Sequence, residues 1–265
     1  MSFTDSTSQQ HAPGPVGDWF PTCAVFDCDG VLMDTESQWI KTVEQVSGQL
    51  GIERPGELAE KLTALPASRI AEALARESLP AGTGDRELAE HSRGILRRLS
   101  ELDAERISQG VELIPGALEL VEELSAVMPV AVASNSARRI LDTKLETAGY
   151  APFLATWVSC DDVPEGKPAP DMYLEAVRRI GGTPERALTV EDSGPGATAA
   201  LAAGTRVVVL AEDPGTAPRG HYALTSFTDP GFRAQVRRWT AAAAGHPEKI
   251  PAAGEPSAVG GHTME

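Results

Sequence analysis

A chain of 265 residues has room for one large domain or two modest ones, and its 42% hydrophobic and 23% charged residues are ordinary globular usage. A formal net charge of -15 repels polyanionic nucleic acid and excludes a duplex-binding role, yet a small anionic substrate needs only a local site with a few donors. Three cysteines without metal-ligand spacing, no leader with a basic and an apolar part, and no apolar stretch of membrane-spanning length predict a cytoplasmic protein with no membrane partner.

Residues 1–18 are polar with Gly and Pro, which predicts a disordered tail. The run TCAVFDCD follows as the first of five β-rich runs that end in polar residues. From Glu36 to Val111 no strand is expected. ESQWIKTVEQVSGQLG, PGELAEKLTAL, SRIAEALARES and DRELAEHSRGILRRLSEL read as four helices, an all-α insertion over 36–111 placed to cover the first strand's aspartates. IPGALELVEELSAV is then a helix with Pro115 near its start and Leu118, Val121 and Leu124 on one stripe. PVAVASNS and TWVSCDD are the next strands. PDMYLEAVRRIGG is a helix with Tyr173, Leu174, Val177 and Ile180 at helical spacing and Gly181 as its stop. ALTVEDSG and TRVVVLAE complete the set. Runs of Val, Ala and Thr without strict alternation predict strands buried on both faces, so residues 19–35 and 112–240 read as a doubly wound α/β core around a parallel sheet. Residues 241–265 are mostly Ala, Gly and Pro and read as a second disordered tail.

In an open parallel sheet, ligands bind at the carboxyl ends of the strands. Asp27 and Asp29 end the first strand, Ser134 and Asn135 the second, and Glu191 and Asp192 a later one. EGKPAPD places Lys167 in a loop held by Pro168 and Pro170. Each set has a plain structural reading: an acidic surface loop, a turn or helix cap, a solvated lysine, a strand end meeting an N-cap. Four sets from distant sequence meeting on one rim argue for a site.

These motifs (DxDG after a strand, a Ser ending the second strand, Lys-Pro-x-Pro, and the acidic pair in VEDSGPG) resemble those of the haloacid dehalogenase-like superfamily, in order, from about Cys23 to Leu210. The insertion resembles that of its helical-cap group, which includes phosphoglycolate phosphatase and β-phosphoglucomutase. The resemblance implies a Rossmann-like core with an all-α cap and a Mg²⁺-dependent phosphatase acting on a small phosphorylated metabolite. By the same resemblance Asp27 is the nucleophile and a metal ligand, forming an aspartyl-phosphate. Asp29 is the acid and base, and its backbone carbonyl reaches the metal. Asp192 is a ligand, and Glu191 contributes directly or through water. Ser134, the backbone N–H of Asn135 and Lys167 hold the phosphate. Acid duty asks for a raised pKa at Asp29.

Four other activities compete. The family's β-phosphoglucomutases carry a histidine twelve residues after the nucleophile, where this chain has Trp39. A dehalogenase uses one aspartate and no metal. A phosphonate hydrolase needs a cap lysine and generally lacks the second aspartate. A catalytically silent phosphometabolite-binding module would have lost Asp27, Asp29 or Lys167, and all are present. Outside the motifs, Asp34 and Thr35 read as a turn or cap, and Arg138 and Arg139 open a helix facing solvent or substrate. Arg69 lies where helical caps carry recognition residues, without the usual glycine beside it. His91 has no ligand spacing.

Overall fold

The computed structural model describes residues 19–62 and 67–244. Its strands are β1 (Cys23–Phe26), β2 (Val130–Ala133), β3 (Thr156–Val158), β4 (Ala187–Glu191), β5 (Arg206–Leu210) and β6 (Tyr222–Leu224). They form one sheet in the order β3-β2-β1-β4-β5-β6, every pairing parallel.

Parallel strands covered on both faces read as unbroken apolar runs, and every residue of β1, β2 and β4 is buried. The pleat sorts them. Ala24, Phe26, Val130, Val132, Leu188 and Val190 join one core, while Cys23, Val25, Ala131, Ala133 and Ala187 join the other. Helices α5 (Ala117–Ser125), α6 (Arg138–Thr147) and α9 (Pro230–Ala244) supply Leu120, Leu141 and Trp239 to the first core. Helices α7 (Asp171–Arg179) and α8 (Gly194–Ala202) supply Tyr173, Val177 and Ala200 to the second. Strand order reverses at β1, with β2 on one side and β4 on the other, and the carboxyl ends there flank the crevice where such sheets take ligands.

Between β1 and α5 lies the all-α cap: α1 (Thr35–Gln49), α2 (Pro55–Leu62), α3 (Ala67–Ser78) and α4 (Asp85–Gln109). It has its own apolar centre, including Val43, Ile70, Leu74, Ile95 and Leu99. The two segments that join it to the sheet hold each other. Asp34 N donates to Glu112 O at 2.9 Å, Ile114 N donates to Leu32 O at 3.1 Å, and Met33 and Leu113 form an antiparallel bridge.

Three expectations need revision. In α7, Leu174 is 42% exposed, because adjacent helix positions lie about 100° apart and Tyr173 takes the inward one. Helix α9 continues to Ala244, four residues into the segment expected to be a tail, since alanine favours helix more than any other residue. Neither β6 nor α9 was expected as an element, yet Phe232, Val236 and Trp239 give α9 a helical stripe into the core. The tail expectations for 1–18 and 245–265 lie outside the described residues. Among the described residues no helix is long and apolar enough to cross a membrane.

Candidate active site

Asp27 leaves β1 with its N–H bonded to Val190 O of β4 at 2.9 Å, which fixes it at the crevice. Gly30 then turns the chain at φ +80°, and a Cβ there would sit 1.9 Å from Asp192 Oδ2. Both the left-handed conformation and the close approach demand glycine.

Lys167, its side chain 4% exposed, donates to Asp27 Oδ1 and, at 2.6 Å, to Glu191 Oε1. Its ammonium also lies 5.0 Å from the centre of the Tyr173 ring. The lysine's loop is pinned by Asn135, whose Oδ1 accepts from Lys167 N at 2.9 Å and whose Nδ2 donates to Lys167 O at 3.4 Å. Glu191 is saturated. Oε1 accepts from Lys167 and from the Tyr173 hydroxyl at 2.5 Å, and Oε2 accepts from Asp192 N, Ser193 N and Ser193 Oγ at 3.0–3.1 Å. Asp192 Oδ1, by contrast, is buried with no hydrogen-bond partner.

Asp29 faces a second set of donors. Its Oδ1 accepts from Lys144 Nζ at 2.5 Å and Thr35 Oγ1 at 2.6 Å, and its Oδ2 from Ser136 Oγ at 3.2 Å and Ser134 Oγ at 3.3 Å. The Ser134 oxygen in turn accepts from Ser136 N at 3.1 Å.

These contacts set the charges. Burial pushes the Asp27 carboxyl well above its ordinary value. Lys167 opposes that, while Glu191, Asp29 and Asp192 add to it. Burial also raises Asp192, and with the Glu191 charge carries it to about 7. At Glu191 burial pushes upward, but the charge and hydrogen bond of Lys167 and the Tyr173 hydroxyl outweigh it and hold the carboxyl low. Asp29 corrects the expectation of a raised pKa. Burial pushes it up, yet Lys144 by charge and hydrogen bond, helped by Thr35 and Ser136, holds it below the usual carboxylate value. Burial works against both lysines, but the carboxylates facing them win and keep both protonated.

The donor set fits a hard divalent cation. Oxygens of Asp27, Glu191 and Asp192 lie within 4.8 Å of one another, and one Asp192 oxygen has nothing to bind. In this cluster four carboxyl groups face two ammonium groups, so two positive charges would complete the balance.

All seven residues expected from sequence come together at the rim, although Asn135 meets the group through its tie to the Lys167 loop. Four participants were missed in that role. Lys144 was not singled out; the signal was a lysine three residues after Leu141 and just before Leu145, on the buried stripe of α6. Tyr173 read as core only, Thr35 as a turn, and Ser136 as the end of a strand run. Asp34 does cap α1, accepting from Ser37 N at 3.0 Å. Arg138 is bound to Asp162 and to Trp157 O, Arg139 is exposed, and Arg69 pairs with Glu72 at 2.9 Å. Trp39 packs against the cap's apolar centre, and His91 meets Ser78 Oγ at 3.1 Å.

A parallel sheet of this order with acidic groups and a buried lysine at its crevice defines a class, and the chain belongs to it: the model of the haloacid dehalogenase-like hydrolase family matches residues 24–210. A bifunctional riboflavin kinase/FMN phosphatase of Arabidopsis thaliana is 39% identical over 102 residues, which cover 38% of this chain and only 27% of that much longer protein. A phosphorylated carbohydrates phosphatase of Thermotoga maritima is 28% identical over 68% of this chain and 80% of its own length. Among solved structures, a HAD-family hydrolase of Deinococcus radiodurans with bound phosphate and sodium is 28% identical, with a TM-score of 0.64 over 86% of this chain and 98% of that one.

Proposed function

We propose that the protein is a phosphatase that hydrolyses a small phosphorylated metabolite, of the phosphorylated-carbohydrate kind, through an aspartyl-phosphate on Asp27. The observation that carries this reading is a buried carboxylate at the crevice, bonded to Lys167 and lying beside the unpartnered oxygen of Asp192. The similarity to a carbohydrate phosphatase and to a phosphate-bound relative supports the substrate class.

An oxygen of Asp27 attacks phosphorus and the bond from phosphorus to the ester oxygen breaks. Asp29, ionised at rest beside Lys144, takes the proton of the incoming phosphate monoanion and passes it to that oxygen. Water then attacks the phosphoaspartate, Asp29 takes the water's proton, and phosphate leaves with Asp27 restored. Lys167 holds the attacking carboxylate in place and offsets the phosphoryl charge, while the Ser134 hydroxyl and the Asn135 N–H donate to phosphoryl oxygens. Asp27, Asp192 and the backbone carbonyl of Asp29 would hold Mg²⁺, with Glu191 acting as a fixed negative charge because its oxygens already accept from five donors. Bound Mg²⁺ supplies the positive charge that cancels repulsion between carboxylate and phosphate. Three free cysteines suit the reducing interior of the cell.

The test is turnover of p-nitrophenyl phosphate and of a panel of phosphorylated sugars, acids and nucleotides. Activity should require Mg²⁺, stop in excess EDTA, and fall by at least about a thousandfold in Asp27→Asn. Acid-quenched enzyme should carry phosphate on the peptide containing Asp27. Turnover that survives the substitution, or a phosphate found on another side chain, overturns the reading.

A further inference from the structure

A lysine on the inward stripe of a helix is an unusual expense, since an ammonium must leave water to get there. Lys144 occupies such a position in α6, between Leu141 and Leu145, with 8% of its side chain exposed. A leucine or methionine would fill that place at no electrostatic cost, so packing does not account for the charge. Its contacts do. The ammonium donates to Asp29 Oδ1 at 2.5 Å and to Ser136 Oγ at 3.2 Å, and Ser136 Oγ donates in turn to Asp29 Oδ2 at 3.2 Å. Lys144 therefore grips the second aspartate directly through one oxygen and through a serine on the other. The Asp103 carboxylate of α4 also acts on the ammonium, which places it where the cap meets the sheet domain.

We infer that Lys144 is a positioning residue for proton transfer by Asp29. It fixes the rotamer from which that carboxyl serves the ester oxygen, and this inference rests on the phosphatase reading above. As Asp27 bonds to phosphorus and the ester bond breaks, Asp29 receives the proton of the substrate monoanion and passes it to the departing oxygen. An alkoxide needs that proton in the transition state, whereas p-nitrophenolate leaves without it. A residue that acts through Asp29 must therefore matter for an alkyl ester and much less for the nitrophenyl ester. One that merely holds the fold together must affect both alike.

The experiment compares kcat/KM, which covers every step through transfer to Asp27, for benzyl phosphate and p-nitrophenyl phosphate in the full chain with Mg²⁺. In Lys144→Met the benzyl value should fall on the order of tenfold or more relative to the nitrophenyl value. Tm should fall because Asp29 loses its charged partner, a loss that alone would lower both esters alike. Lys144→Gln, which keeps a donor without the charge, is read by the same ratio should the methionine variant misfold. Equal losses on the two esters, or no loss on either, overturn the role of Lys144 and leave the phosphatase reading intact. Full activity in Asp27→Asn run alongside overturns the phosphatase reading itself.

Discussion

Between about pH 4 and pH 7 the folded, metal-free protein holds a proton on Asp192 that an unfolded aspartate has already lost. The folded state thus binds more protons across that window, so this group's contribution to stability falls as pH rises through it. On the proposed reading, in which Asp192 holds Mg²⁺, the ion would need the ionised carboxylate and would displace the proton. A fixed Mg²⁺ concentration should therefore raise Tm more at about pH 8 than at about pH 6, and calorimetry should find binding about tenfold weaker at the lower pH. Equal effects at the two pH values would remove Asp192 from the ligand set. Asp27, Asp29, Ser134, Asn135, Glu191 and Asp192 were legible because they follow or end apolar runs at strands' carboxyl ends, and Lys167 because two prolines brace its loop just before a helix. Lys144 was not, because a helical lysine ordinarily faces water and its partner, Asp29, is 115 residues away in sequence.

Helix α7 shows what one element does for the site. Its inward face carries Tyr173 beneath the Lys167 loop, where the ring meets the ammonium and the hydroxyl binds Glu191. Tyr173→Phe keeps the ring and removes one donor to a buried charged oxygen. The expected cost is about 1.5–3 kcal/mol in urea unfolding, with a smaller effect on turnover than Asp27→Asn. Unchanged stability would mean that Lys167 alone satisfies that oxygen. The strands β1, β2 and β4 were readable from their apolar runs, since burial on both faces favours apolar residues. It admits a polar one, such as Thr189 donating to Thr205 Oγ1 at 2.8 Å, only where it finds a partner. The end of α9 was not. A run of alanines carries no stripe, and the helix's last core residue is Trp239, which donates to Trp19 O at 3.0 Å.

At the scale of the molecule, the cap and the sheet each have a separate apolar centre, so either can keep its packing while the other shifts. The insertion was visible in sequence as seventy-odd residues without a strand. Its seat against α6, beside Lys144, was not, because tertiary placement leaves no periodic trace. The substitution Gly116→Ala tests the joint where the cap returns. At φ +82° an added Cβ is strained and would meet Phe227 and Thr228 at 3.2 Å, so thermal unfolding should come several degrees earlier. An unaltered melting curve would show that this corner yields freely.

The paired segments at residues 32–34 and 112–114 make the suspension of the cap a two-ply ribbon. A ribbon resists bending within its own plane and yields to torsion. The cap should therefore swing along a single arc, with one angle describing every pose. Fluorescence distances from several dye pairs, recorded with and without phosphate and Mg²⁺, should collapse onto one curve when plotted against each other. Points scattered off that curve would reveal a looser, ball-like joint.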